Sequence, residues 1–338
     1  MSAGTTMSAY DTSGAGAGRT YWEYIEEIAD FAAVLPLGDG LAKVRRCIDD
    51  GYQMFLHPPT LEREKVPHRW SFLSPHATLT LVADTYEYNL PADFGTLTSD
   101  FTYAENSGLP PITRSISESE IRHRRETTDS NGDPTACALV TAPFAAVSGQ
   151  RAKVLFWPTS TTGRTLTYTY SVLVNRMAVP LSSGSADFDT TDEDYDSITD
   201  ATATFDTNGA AAGGYVIVSD TTANAADGIY RIASVESETK IQLDLATAVA
   251  LDYACTYEVF DETVYALGGR AHSNVLLQCC RAIADQRFND TLGDEYQLAL
   301  KLLADAVRDD RRNAPDFITR KGGGLGHGSR VVIPVRYE

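Results

Sequence analysis

The residues able to do chemistry are scattered through this sequence, and their spacing decides what each can be. The acidic run Asp187, Asp189, Asp192, Glu193, Asp194 and Asp196 offers the oxygen ligands that calcium takes. A calcium loop, however, needs Gly at its sixth position, where Asp192 stands, and a bidentate Glu at its twelfth, where Ile198 stands. The run reads as a solvated acidic loop, with weak incidental cation binding as the alternative. His57, His68 and His76 lack the spacing of a helical zinc pair, and no Cys-x-x-Cys accompanies them. No Gly-x-Ser-x-Gly elbow occurs, and Ser329 beside His327 lies in a glycine tract too pliant to hold a nucleophile and base in register. That tract, residues 322–328, has neither a P-loop pattern nor a strand before it and a helix after it, so it reads as a hinge. Cys279 and Cys280 could form a redox pair, but neighbouring cysteines on a helix strain a mutual disulfide, and two small apolar residues in a packed stripe is the better reading. Arg122, His123, Arg124 and Arg125 could touch DNA or an acidic neighbour. Glu118, Glu120 and Glu126 flank them, and a solvated loop accounts for them equally well. The expectation is a chain that is not an enzyme, with no catalytic residue, metal or cofactor; a glycosidase would need two placed carboxylates, which the surplus of Asp supplies by abundance only.

Charge locates the modules. The 338 residues carry a net charge of -18, and between positions 182 and 262 there are 17 acidic residues against Arg231 and Lys240, so this stretch holds 15 of the 18 net negative charges. It cannot grip phosphates, which want clustered Lys and Arg. Five cysteines without a repeating spacing fit a reducing cytoplasm. No apolar stretch is long enough for a membrane helix, and residues 1–20 do not read as a signal peptide.

The elements that would position these residues follow from periodicity. Residues 1–19, mostly Gly, Ala, Ser and Thr, read as a flexible tail. Thr20 and Glu23 have capping-box spacing, opening a helix through Ile25, Ile28 and Ala29 that ends near Pro36. Asp39 can cap a second helix with the stripe Leu41, Val44, Ile48, Tyr52 and Phe55, stopped by Pro58-Pro59. From residue 77 to about 176 the period changes to two, with strands at 78–82, 86–90, 153–157 and 166–172, and turns at 131–134 and 162–163. Short strands at 215–218, 228–232, 240–243 and 256–260 make the acidic stretch a small sandwich. Two long helices follow, with the stripes Val264, Leu267, Ala271, Val275, Cys279, Ala282, Ile283 and Leu292, Tyr296, Ala299, Leu303, Ala306, Val307, ending before Pro315. The expected fold is α+β: a helical bundle from the N- and C-terminal helices, an antiparallel β-region, and an inserted β-sandwich. Its parts are the tail (1–19), the body (20–180 and 261–314), the acidic insert (181–260) and a C-terminal extension (315–338).

Trp70-Ser71-Phe72-Leu73, Pro75, residues 78–81 and the string Tyr86-Glu87-Tyr88-Asn89-Leu90-Pro91-Ala92-Asp93-Phe94 resemble, in that order, the head-to-tail connector or adaptor (head-completion) proteins of tailed bacteriophages. Residues 45–56 leading to Pro58-Pro59, Phe156-Trp157-Pro158 before Tyr168-Thr169-Tyr170, and Ala282, Asp285 and Asp309-Asp310-Arg311-Arg312 look similar too, so the resemblance spans roughly residues 20–175 and 262–312. It implies a structural virion protein at the head–tail junction, assembled in the host cytoplasm. Its partners would be the portal protein, a downstream tail or neck protein, and copies of itself in a ring, typically of twelve, whose channel passes the genome without stable sequence-specific DNA binding. Residues 227–232 and 239–243 look like an immunoglobulin-like decoration of phage structural proteins. The alternative is a tail-completion or baseplate component. Arg330, Val331, Val332, Ile333, Pro334, Val335, Arg336 and Tyr337 form the expected docking strand: too apolar to stay solvated after a glycine tether, and too short to make a sheet unaided. Strand addition to an exposed edge, on the portal or a neighbouring subunit, would satisfy their backbone; folding back onto the chain's own sheet is the alternative.

Overall fold

A computed structural model of the chain describes residues 18–60, 68–105, 107–114, 116–128, 131–144, 150–174, 176–189, 197–220, 227–244, 252–290 and 293–313. In chain order, helices α1 (Tyr21–Phe31) and α2 (Gly38–Leu56) come first, followed by a single 3-10 turn at Ser71–Leu73. The first β-region holds β1 (His76–Thr80), β2 (Glu87–Asn89), β3 (Phe94–Leu97) and β4 (Thr102–Tyr103), then helix α3 (Glu118–Thr127), then β5 (Ala136–Thr141), β6 (Ala152–Trp157) and β7 (Thr165–Val172). The acidic stretch supplies β8 (Ser182–Asp189), β9 (Ser197–Thr199), β10 (Tyr215–Asp220), β11 (Gly228–Ser237), β12 (Lys240–Leu243) and β13 (Asp252–Phe260). Helices α4 (Gly269–Asn289) and α5 (Asp294–Asn313) complete the described chain. The fold is therefore α+β, and no helix among the described residues is long and apolar enough to cross a membrane.

The first turn of α1 is held as its sequence dictates. The Glu23 N–H donates to the Thr20 hydroxyl at 3.4 Å, and the Thr20 N–H donates to the Glu23 carboxylate at 2.7 Å, so two otherwise orphaned donors are satisfied reciprocally. Leu41, Val44, Ile48, Tyr52 and Phe55 form the buried stripe of α2. This helix starts two residues earlier than expected, with Asp39 inside the first turn and Leu37 at the N-cap, where no side chain caps the helix. α4 packs against α1, α2 and α5, so helices from both halves of the sequence share one core. The helices α2 and α4 approach closely at Gly51, where an added Cβ would stand 2.6 Å from the Cys280 Cα. Val264 and Leu267, expected at the head of the α4 stripe, precede the helix; Gly268 and Gly269 at φ +92° and +62° turn the chain into it.

Two antiparallel sheets lie between the helices in sequence. One has the order β1-β7-β3, with β4 also pairing with β7; the other is β2-β6-β5. Phe101, Phe156, Leu166 and Tyr168 bury their faces in the same core as the helices.

The acidic stretch differs from the expected sandwich. Its six strands close into one barrel in the order β10-β11-β12-β9-β8-β13, with β8 pairing with β13 along its length and with β9 through Asp187–Asp189. Register shifts in the β11–β12 pair, between Ile232 and Ser234 and between Val235 and Ser237, add the bend that closure requires. The barrel has a core of its own around Phe188, Ile198, Phe205, Val216, Ile241 and Val259. At its base it shares the core of the body: Tyr215 lies 4.2 Å from Trp22 between ring centroids, and Phe260 lies 5.7 Å from Trp22. Arg45 of α2 pairs with Glu258 at 2.5 Å and sits over the Phe260 ring.

Candidate functional site

Four segments distant in sequence converge at the end of α2. Phe55 stands in the last turn of α2; Trp70 and Phe72 flank Ser71 at the 3-10 turn; His272 comes from the first turn of α4; Asp310 comes from the last turn of α5. Trp70 is the hub. Its ring is 4.9 Å from Phe55, 5.5 Å from Phe72 and 5.1 Å from His272, and its indole N–H donates to the Phe55 carbonyl at 2.7 Å. That carbonyl is one of the four a helix C-terminus leaves without an internal partner, so the indole both packs on α2 and caps it.

Asp310 ties the same turn to α5. It is 7% exposed, and it accepts from the Ser71 hydroxyl at 2.5 Å, from the Ser71 N–H at 3.0 Å, and meets His68 Nε2 at 2.9 Å. Burial pushes its pKa up, but the hydrogen bonds from Ser71 and His68 outweigh this and hold the carboxyl below its ordinary value. Burial lowers the His272 pKa, against the pull of Asp310 and Asp309. The residue types are those of a hydrolytic triad, yet the arrangement is different: the hydroxyl donates to the carboxylate, whereas catalysis needs the imidazole between them. Here the carboxylate is a strap, holding the chain that leads into β1 against the end of α5.

Sequence reasoning placed Asp310 only in a string and gave His68, Ser71 and His272 no joint role. One signal was present. Asp309 and Asp310 sit near a helix C-terminus, where the backbone dipole disfavours negative charge, so an acid retained there needs a local partner.

The other residues singled out by type fall in separate places. Arg122, His123, Arg124 and Arg125 lie on helix α3, not on the expected loop. Ser117 caps it, Arg122–Glu118 and Arg124–Glu120 pair along its surface, and Ile121 anchors it to Ala138 and Leu155. Arg124 stacks over Trp157 at 4.8 Å and Arg125 over Tyr86 at 3.1 Å, so two of the three arginines are engaged by their own domain's aromatic faces. Cys279 and Cys280 are buried and unbridged, as are Cys47, Cys137 and Cys255. Burial pushes the thiols of Cys137 and Cys279 up to about 12 and that of Cys47 to about 11, far from the reactive thiolate range. Asp187 lies in β8, most of the acidic run lies outside the described residues, and among the described residues no three His, Cys, Asp or Glu are grouped to hold a metal. The expected docking strand, Arg330 to Tyr337, lies outside the described residues.

Two open clefts of about 350 Å³ each occur on the surface. One lies in the barrel beside Ser183, Asp200, Thr202 and Tyr257, where Asp200 accepts from the Tyr257 hydroxyl at 2.7 Å and from the Thr202 N–H at 2.8 Å. The other lies beside α3, between Tyr86, Glu118, Arg122 and Arg125. Comparison with protein-family models, curated proteins and solved structures finds no match.

Proposed function

We propose that the protein is a structural component of a tailed-phage particle: an adaptor that forms a ring between portal and tail and extends the DNA channel. In this reading α1, α2, α4 and α5 are the bundle of the ring subunit, the acidic barrel is an inserted module carried on it, and residues 330–337 are the strand that docks on a partner in the assembled particle.

The observation that carries the proposal is the junction at Trp70. The segments that resemble adaptor proteins, residues 45–56, 70–73 and 309–312, are far apart in the chain, and they meet there through Phe55, Trp70, Ser71 and Asp310. Their meeting in one contact network is what a shared architecture requires of them. The junction supports common architecture, and the adaptor role follows from the resemblance.

Electron microscopy of the purified protein mixed with its portal tests the proposal. Rings, and added density beneath the portal, are the expected result; monomers with no density at the junction would overturn it. Density at the distal end of the tail would favour a baseplate component instead.

A further inference from the structure

The hydrogen-bond parity of β1 leaves one edge of the first sheet open. The Tyr170 N–H donates to the Pro75 carbonyl and the Leu81 N–H to the Arg164 carbonyl. Both pairs, with Ala77↔Tyr168 and Leu79↔Leu166 between them, belong to one alternating set. Odd-numbered residues of β1 therefore bond β7, and the N–H and C=O groups of His76, Thr78 and Thr80 point the other way. Among the described residues no strand pairs with that side and no backbone hydrogen bond reaches those three residues. Ala77 and Leu79 are only partly buried against the core, so an added strand would also complete an apolar face. An open edge of this kind invites pairing with any extended chain.

We infer that in the free subunit this edge takes up the chain's own C-terminal segment, residues 331–337. Three arguments select this occupant. The first is parity. Pro334 has no N–H, so it must face away from the ladder, which turns Val331, Ile333 and Val335 toward β1. In an antiparallel pair three bonding residues then meet three open ones, their side chains on the solvent face with Thr78, while Val332 and Pro334 come beside Leu79 and Ala77 on the core face and Pro334 blunts the new edge. The second is reach. The described chain ends at Asn313, one turn beyond Asp310, which is hydrogen-bonded to Ser71, and Ser71 lies five residues before His76, at most about 18 Å along an extended chain. Seventeen residues, 314–330, separate Asn313 from the segment, and an unstructured chain of that length would span roughly 20–25 Å. The third is concentration: a linker of this length would hold the segment near its site at an effective concentration of order mM, far above any second copy in dilute solution. The edge is then a parking place, which a partner at assembly would have to outcompete. The inference concerns the unassembled chain and stands whether or not the particle contains a portal ring.

Hydrogen–deuterium exchange read by mass spectrometry on the monomeric fraction tests it. Three chains are compared: the full chain, a chain truncated after Arg320, and Thr78→Pro. Truncation should speed exchange of the peptide covering residues 76–80 by about tenfold or more. The proline removes an outward N–H but no bond to β7, so helix and sheet circular dichroism should stay unchanged while residues 331–337 lose protection. Equal exchange of residues 76–80 in full and truncated chains would overturn the inference. So would protection confined to fractions larger than the monomer, which would assign the edge to a second copy. Should Thr78→Pro fail to fold, the truncation comparison decides alone.

Discussion

Replacing Asp310 by Ala removes the acceptor for three donors at once: the Ser71 hydroxyl, the Ser71 N–H and His68. Hydrogen bonds to a charged group contribute about 1.5–3 kcal/mol each, and water entering the vacated site recovers part of the loss, so the expected destabilisation is about 2–4 kcal/mol. Asp310→Asn keeps the shape and one acceptor oxygen and should cost about half as much. Urea unfolding at pH 7, followed by tryptophan emission with Trp70 at the centre of the affected cluster, measures both variants. Ser71→Ala should be less harmful, and combining it with Asp310→Ala should add little, because the two changes break the same contacts. The pH dependence has a definite sign. The folded carboxyl titrates below its unfolded value, so its contribution is fully present above about pH 4 and is lost as pH falls through the folded pKa. Asp310→Ala should lack that component of the acid loss. A change within about 0.5 kcal/mol of the parent at pH 7 would place Asp310 among ordinary surface acids and refute the strap.

Gly51→Ala should destabilise by about 1–3 kcal/mol, despite the better helix propensity of Ala, because its Cβ would stand 2.6 Å from the Cys280 Cα and 2.8 Å from the Cys280 N; an unchanged denaturation midpoint would show that α2 and α4 separate freely. Deleting residues 181–260 should leave a folded helical body whose tryptophan emission shifts to the red, since Trp22, now 3% exposed, loses Tyr215 and Phe260; loss of the helical circular-dichroism signal would mean that the body cannot fold without the barrel. Binding to duplex DNA at physiological salt should be negligible for a chain of net charge -18; a salt-sensitive nanomolar complex in fluorescence anisotropy would contradict this.

Long periodic elements were legible in the sequence. The stripes of α2 and, from Tyr296 to Val307, of α5 keep one apolar face at helical spacing, β7 alternates around Tyr168, and the unbroken apolar runs Val154–Phe156 and Val216–Val218 are strands buried on both faces; Leu292, expected at the head of the α5 stripe, lies outside the described residues. Helix α3 was missed because only Ile121 is buried and no stripe exists; Ser117 at the cap and the pairs Glu118–Arg122 and Glu120–Arg124 were the usable signals. Strand β8 reads Ser-Ser-Gly-Ser-Ala-Asp-Phe-Asp, and only Ala186 and Phe188 face the barrel core, so its composition suggests a loop. Barrel closure depends on β8 pairing on both sides, which no local pattern encodes. The Trp70 junction was illegible for a similar reason: its members lie up to 255 residues apart (310 − 55), and each has an ordinary local explanation.

The sharing of one core by helices from opposite ends of the chain sets a timetable for synthesis. α2 ends at Leu56 and its packing partner α4 begins at Gly269, so roughly 210 residues must be translated between them. At about 5–20 residues per second this takes roughly 10–40 s. The barrel, complete at Phe260, can close on the ribosome before α4 emerges, while the apolar stripe from Leu41 to Phe55 waits in solvent for its cover. That interval is when a chaperone would engage the nascent chain, and slowing translation after the barrel codons should lengthen it in proportion.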